Sequence, residues 1–241
     1  MTLIRSLLFN IVVFAWTFLV LVLYIPLVMA PRATLLSAIR LWVCSVFRLQ
    51  RLILGLDFEF RGTDNLPDGP CIVASAHQSA WDTIAFYAVW NDPGFVLKHE
   101  LYRIPMFGLY ARRLDMIAID RAGGAAAARQ MLRDVRNRFQ SGQPVVIFPG
   151  GTRSAPGDIV PLKSGVTALY RRSNVPVVPV SLNSGYFWGR RSFTKKSGKI
   201  VAEFHEPIQP GLGAVEFADL LAARIDGGNK RLLDEARNTY P

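Results

Sequence analysis

The sequence predicts an α/β fold: a mixed sheet covered by helices, preceded by an N-terminal membrane-associated helical segment. Three observations carry this. After Leu56, short apolar runs alternate with helical patterns and are separated by glycine, proline and aspartate, the texture of strands interleaved with covering helices. Residues 123–142, "GGAAAARQMLRDVRNRFQSG", place Met131, Val135 and Phe139 on one face, with Leu132 beside them and arginines on another, which is a surface helix. The run from Leu7 to Ala30 carries no charge. The organisation read from this is residues 1–56 as membrane anchor and interfacial helices, and residues 57–241 as one α/β domain. No internal repeat or second domain is visible.

The N-terminal run, at about 1.5 Å per residue, can cross a hydrocarbon core of roughly 30 Å. "VMA" at its end resembles a signal-peptide cleavage site, but the run is long for a signal peptide and more apolar sequence follows it, which favours an anchor. In residues 33–56, Arg40, Arg48 and Arg51 fall on roughly one side of a helix. This fits either a helix in the membrane interface with its arginines reaching for headgroups, or a helix packed on the domain. The arginines after the first run place the body on the cytoplasmic side of the inner membrane.

Downstream, "DFEFRG", "PCIVASA", "GFVLKH", "DMIAIDR", "PVVIFP" and "KIVAEFHEPI" read as strands. So does "VPVVPVSL", whose prolines suggest a strand end or edge. "WDTIAFYAVW" reads as a helix, and Gly142 fits the end of the 123–142 helix. "AVEFADLLAARI" and "NKRLLDEARN" read as two helices separated by Gly227 and Gly228.

The chain has a formal charge of +10, two isolated cysteines and three histidines. The charge favours an anionic partner. The cysteines form no CxxC pair and offer neither a disulfide framework nor a zinc site. A nucleic-acid binder has no recognisable motif here.

His77 and Asp82 lie in "SAHQSAWDT", directly after the strand "CIVA". A loop at a strand end is where α/β proteins place their sites. An aspartate there can hold the imidazole tautomer and stabilise the imidazolium, or it can simply cap the helix. No G-x-S-x-G elbow supplies a nucleophile. The hydroxyl that such a base activates therefore belongs to the substrate. "FPGGTRSAPG", Phe148 to Gly157, follows the strand "VVI". Its glycines and Arg153 fit a phosphate or oxyanion site, or an ordinary turn. It is not a P-loop, since no Gly-Lys-Ser/Thr follows.

The ordered blocks "HQSAWD", "KHELYRIPMFG", "MIAIDR", "FPGGTRS" and "VPVVPVSL" resemble the 1-acylglycerol-3-phosphate acyltransferases, over residues 72–182. The resemblance implies a single acyltransferase domain that moves a fatty acyl group from acyl-CoA or acyl carrier protein to lysophosphatidic acid, giving phosphatidic acid. It implies His77 as general base and Asp82 as its orienting partner. It implies Lys98, Arg121, Gly151, Thr152 and Arg153 around the acceptor, with Arg153 on the phosphate. Glu100, Pro105, Gly108 and Asp120 match the same blocks, and Pro176 and Pro179 the last one. The scheme calls for no metal or prosthetic group, and for membrane lipids as partners. One position departs: the family's "FPEGTR" carries a glutamate where this chain has Gly150. That leaves open another lyso-lipid acceptor, such as a lyso-ornithine lipid, or a non-catalytic lipid-binding relative. The basic aromatic stretch Gly185 to Lys199 reads as an interfacial loop near anionic headgroups.

Overall fold

The structure, a computed structural model, describes residues 2–120, 123–159 and 161–240. The chain begins with two helices, α1 (Thr2–Leu23) and α2 (Arg32–Leu49). The first strand, β1 (Leu56–Arg61), is followed by β2 (Ile72–Ser75), α3 (Asp82–Ala85), β3 (Gly94–Lys98) and α4 (Phe107–Arg113). Next come β4 (Ile117–Ile119), α5 (Gly124–Gln140), β5 (Val145–Ile147) and α6 (Ser164–Ser173). The chain closes with β6 (Val177–Leu182), α7 (Ser184–Phe187), β7 (Gly198–Phe204) and α8 (Ala214–Thr239).

The strands form one mixed sheet in the order β1-β7-β6-β2-β5-β3-β4. Every pairing is parallel except that of β6 with β7. Side chains alternate between the two faces, as the pleat requires. Val73, Val146 and Val178 enter one core, with Phe9 of α1 and Leu35, Val43 and Phe47 of α2. Ile72, Ala74, Val145 and Val177 enter the other, with residues of α5, α6 and α8.

The N-terminal helices are therefore part of the core. On α2, Leu35, Leu36, Val43, Val46 and Phe47 are buried, and a fully buried side chain of this kind contributes roughly 1.5–3 kcal/mol. The arginines contribute less. Arg40 bonds Asn91 and Arg51 pairs with Asp57 at an exposed site, where an ion pair is worth about 0–1 kcal/mol. α2 is thus packed on the domain along one face, while Leu41 and Arg48 stay exposed on another. Arg32, at the start of α2, binds Asp92 at 2.8 Å and the carbonyl of Leu114 at 2.8 Å. Arg113 donates to the carbonyls of Val28 and Ala30. These bonds latch the α1–α2 turn to α4.

α1 is long and apolar enough to cross a membrane. The apolar run ends as a helix at Leu23 and turns at Ile25–Val28, where Pro26 stands. One face of α1 packs along the body: Phe9 meets Trp188 edge-on, and the Leu21 carbonyl accepts from Tyr110. The opposite face presents Leu3, Ile4, Leu7, Leu8, Ile11, Phe14 and Phe18 outward.

Three expectations change. Pro179 lies in an interior strand, because β6 sits between β2 and β7. Its missing N–H falls where β7 has turned away, between the Val177–Ile208 bridge and the ladder that begins at Val180. Gly227 and Gly228 do not separate two helices, for α8 is continuous. Gly228 is there for close packing: a Cβ would stand 2.3 Å from Ser181 Oγ and 2.8 Å from His205 Nε2. Gly227 has open space around it. "WDTIAFYAVW" gives only the short α3 and a following 3-10 turn, and α4 and α6 were not foreseen.

The two adjacent glycines predict opposite responses. Gly227→Ala raises stability through a helix-propensity gain of up to about 1 kcal/mol. Gly228→Ala lowers it by about 1–3 kcal/mol, since the clash outweighs the same gain. Chemical denaturation in detergent measures both, and equal effects would refute the packing explanation of Gly228.

Candidate active site

Parallel neighbours β2 and β5 bring two loops together at their C-terminal ends. The loop after β2 carries His77, and the loop after β5 carries Phe148 to Gly157. Phe148 stacks on the His77 ring with centroids 4.0 Å apart and planes 20° apart. The Ser154 N–H donates to the His77 carbonyl at 2.9 Å. The imidazole is thus clamped on its face by one loop residue and at its backbone by another.

Asp82 sits at the start of α3 and is fully buried. Its carboxylate turns back over the loop. Oδ2 accepts from the backbone N–H groups of Gln78 at 2.7 Å and Ser79 at 2.8 Å, and lies 3.0 Å from His77 Nδ1. Oδ1 accepts from the Ser184 hydroxyl at 2.6 Å. A buried carboxylate with this set of donors is an acceptor only. His77 therefore carries its proton on Nδ1 and presents Nε2 as a free base. The His77 side chain is 15% exposed, against 0% for Asp82. The pair has a dry, oriented half and an accessible half.

A small polar cleft opens at His77. Ser75, Gly150, Thr152, Asp158, Asp226 and Asn229 are among its walls. Burial raises the Asp226 carboxyl from its ordinary value. Phe148, stacked on His77, also lines an apolar cavity of about 430 Å³, within the usual size of small-molecule sites. Phe148, Thr83 and Ile84 join it to the segment that carries His77 and Asp82, while Thr17, Val20 and Leu21 of α1, Tyr24 just after it, and Ile39 and Trp42 of α2 also line it. Trp42 donates from its indole to Thr17 across those two helices.

The other residues singled out from the sequence are spread more widely. Gly151 takes a positive φ of 72°, which shapes the turn of the glycine loop. Arg153 lies beyond the small cleft, its carbonyl accepting from Arg190 at 2.9 Å. Lys98 stands at the end of β3 and pairs with Glu100 at 2.8 Å. Pro176 precedes β6 and its carbonyl accepts from Ile72 N–H. Arg121 lies outside the described residues. Among the described residues there is no group of three or more His, Cys, Asp or Glu placed to hold a metal.

A family model described as Acyltransferase matches residues 57–183. A 1-acyl-sn-glycerol-3-phosphate acyltransferase of Pseudomonas aeruginosa is 33% identical over 177 residues, covering 73% of this chain and 69% of that protein.

The chain belongs to the acyltransferase family.

A second relative of this acyltransferase, a 1-acyl-sn-glycerol-3-phosphate acyltransferase of Limnanthes alba, is 30% identical over 171 residues, covering 69% of this chain and 60% of that protein. In three dimensions the acyltransferase matches the crystal structure of the 1-acyl-sn-glycerophosphate (LPA) acyltransferase PlsC from Thermotoga maritima. The TM-score is 0.79 at 26% identity, over 96% of this chain and 98% of that one. The match extends through the N-terminal helices.

Sequence reading gave no role to Gln78 and Ser154, which lie within the blocks that carry His77 and Arg153. It missed Ser184 and Asp226, which reach the site through tertiary packing with no local spacing to mark them. Phe148 was quoted only as the start of the glycine loop, and its stack on His77 depends on the β2–β5 register.

The donor set around Asp82 predicts how the site fails. Asp82→Ala leaves the N–H groups of Gln78 and Ser79 buried without an acceptor, which destabilises the fold by about 3 kcal/mol or more. Asp82→Asn keeps an acceptor oxygen and loses less than half of that. Urea denaturation of the two variants makes the comparison, and an equal loss would show that the backbone donors find other partners.

Proposed function

We propose that this acyltransferase moves a fatty acyl group from an acyl thioester to the free hydroxyl of 1-acylglycerol 3-phosphate, giving phosphatidic acid. The observation that carries this reading is the His77–Asp82 pair, with Nε2 facing a polar cleft and an apolar cavity beginning at the same loop. The names of the relatives and of the solved structure point to the same substrate.

In this reading His77 Nε2 takes the hydroxyl proton as the oxygen attacks the thioester carbonyl carbon. Asp82 stabilises the imidazolium that forms. The tetrahedral oxyanion collapses, the C–S bond breaks, and the imidazolium proton passes to the departing thiolate. The fatty chain occupies the apolar cavity between the sheet and the α1–α2 hairpin. Arg153 takes the acceptor phosphate, with Lys98 and Arg121 adding positive charge. Coenzyme A and acyl carrier protein both remain candidate donors.

The outward apolar face of α1 supplies the membrane contact. Since α1 packs along the body from Phe9 to Leu21, we read it as lying in one leaflet, with the domain on the cytoplasmic face of the inner membrane. The loop after α7 supports this placement. It holds α1 through Ser6 and Asn10 while Phe193, 50% exposed, and Arg191 stand exposed.

Membranes carrying the chain should convert lysophosphatidic acid and oleoyl- or palmitoyl-coenzyme A to phosphatidic acid. His77→Ala should abolish the product while membrane association persists. Product from His77→Ala at near the normal rate would sink the general-base assignment. Product only from another lyso-lipid would keep the chemistry and assign Gly150 to a changed acceptor site. Arg153→Ala should raise KM for the acceptor about tenfold or more with a smaller change in kcat. An unchanged KM would place the phosphate elsewhere.

A further inference from the structure

Asp82 has two carboxylate oxygens, and the reaction scheme uses only one of them. Oδ2 is crowded by three donors: His77 Nδ1–H and the N–H groups of Gln78 and Ser79. Oδ1 has the Ser184 hydroxyl, at 2.6 Å. Both side chains are fully buried, so no water replaces either partner. A carboxylate turns about its Cβ–Cγ bond. If Oδ1 were left bare in a dry site, the group would rotate to share the three crowded donors between its oxygens. The imidazole bond, made to a side chain rather than to fixed backbone, would then loosen first.

Ser184 is itself held on both sides. It opens α7, directly after β6. Before it, Asn183 Oδ1 accepts from Val201 N–H at 2.8 Å. After it, Gly185 N–H donates to Gln78 Oε1 at 3.0 Å, and Gln78 Nε2 returns to the Leu182 carbonyl at 3.0 Å. A Cβ at Gly185 would lie 2.9 Å from Gln78 Cβ, so α7 and the histidine loop touch as closely as they can. The hydroxyl that meets Asp82 thus comes from a rigid seat, 102 residues away in sequence.

We propose that Ser184 is a positioning residue for acyl transfer: its hydroxyl fixes the rotation of the Asp82 carboxylate, which keeps His77 Nδ1–H bonded and Nε2 aimed at the cleft. This rests on the reading of His77 as general base. Asp158 and Asp226 are the other carboxylates lining the cleft that His77 faces, and neither touches Ser184.

The test uses the full chain in detergent or nanodiscs with 15N-labelled histidine. Only three imidazoles are present, and His77→Ala identifies the Nδ1–H proton resonance of His77. In Ser184→Ala this resonance moves upfield and broadens. The same variant loses kcat about ten- to a hundredfold with KM for both substrates unchanged. Ser184→Thr, which keeps the hydroxyl, restores both the resonance and the rate. An unmoved resonance in Ser184→Ala overturns the proposal whatever the rate. A moved resonance with kcat within about twofold of wild type overturns it as well. If the alanine variant does not fold, Ser184→Cys, a weaker donor of similar shape, is judged by the same criteria. If wild type transfers no acyl group to any lyso-lipid, the functional reading falls, and the spectrum still decides whether Ser184 holds the pair.

Discussion

A carboxylate stripped of water must be met by hydrogen-bond donors, and the whole site is built around meeting those of Asp82. Its donors come from the loop after β2 and from the first residue of α7. Neither segment could hold its shape without the other. The loop carries backbone N–H groups that no strand or helix satisfies, and the carboxylate satisfies two of them. In return, those N–H groups and Ser184 fix the carboxylate well enough to fix the imidazole. The short run between His77 and Asp82 thus works as a folded unit, with Asp82 reaching back over a tight turn rather than capping the helix that it starts.

The second constraint is the sheet's need for cover on both faces. One face is closed by α5, α6 and α8, and Gly228 allows α8 to lie close against β6. The other is closed in part by the two N-terminal helices. These helices do not close it completely, and the space left between them and the sheet is the apolar cavity. Burial of Phe9, Leu35, Val43 and Phe47 outweighs the exposed ion pairs in holding the hairpin. The better-buried Arg32–Asp92 contact and the Arg113 bonds set where the hairpin turns.

Most strands were legible because each is a short apolar run between turn residues, and α5 because its periodicity is clean. Helices α4, α6 and α7 were not foreseen and α3 was read as part of a longer helix; the shortest of these are single turns or little more and take their shape from packing. Pro179 and Gly228 were misread for a common reason. Both break a local rule, and in both the explanation is a neighbour distant in sequence: β7 turning away from Pro179, and Ser181 lying under Gly228. His77 and Asp82 were legible as a spacing, and the glycine loop as a turn. What the spacing could not reveal is that Phe148 and Ser184 would complete the pair. Their contacts exist only because β2 lies between β5 and β6 in the sheet.

The same sheet order explains why the cavity and the cleft meet across the His77–Phe148 stack. β2 is central, so its C-terminal loop has the β5 loop on one side and the β6–α7 junction on the other. Phe148, from β5, has one ring with two duties: it stacks on His77 and it lines the apolar cavity. In the proposed reaction, an acyl chain lying in that cavity would bring its carbonyl end beside the imidazole. The walls farthest from the sheet belong to α1 and α2. If α1 meets lipid as proposed, a chain entering there would reach the cavity without crossing the polar cleft where Asp158 and Asp226 stand. In the proposed reaction, apolar donor and charged acceptor would thus reach His77 by separate routes, each through surroundings that match its own polarity.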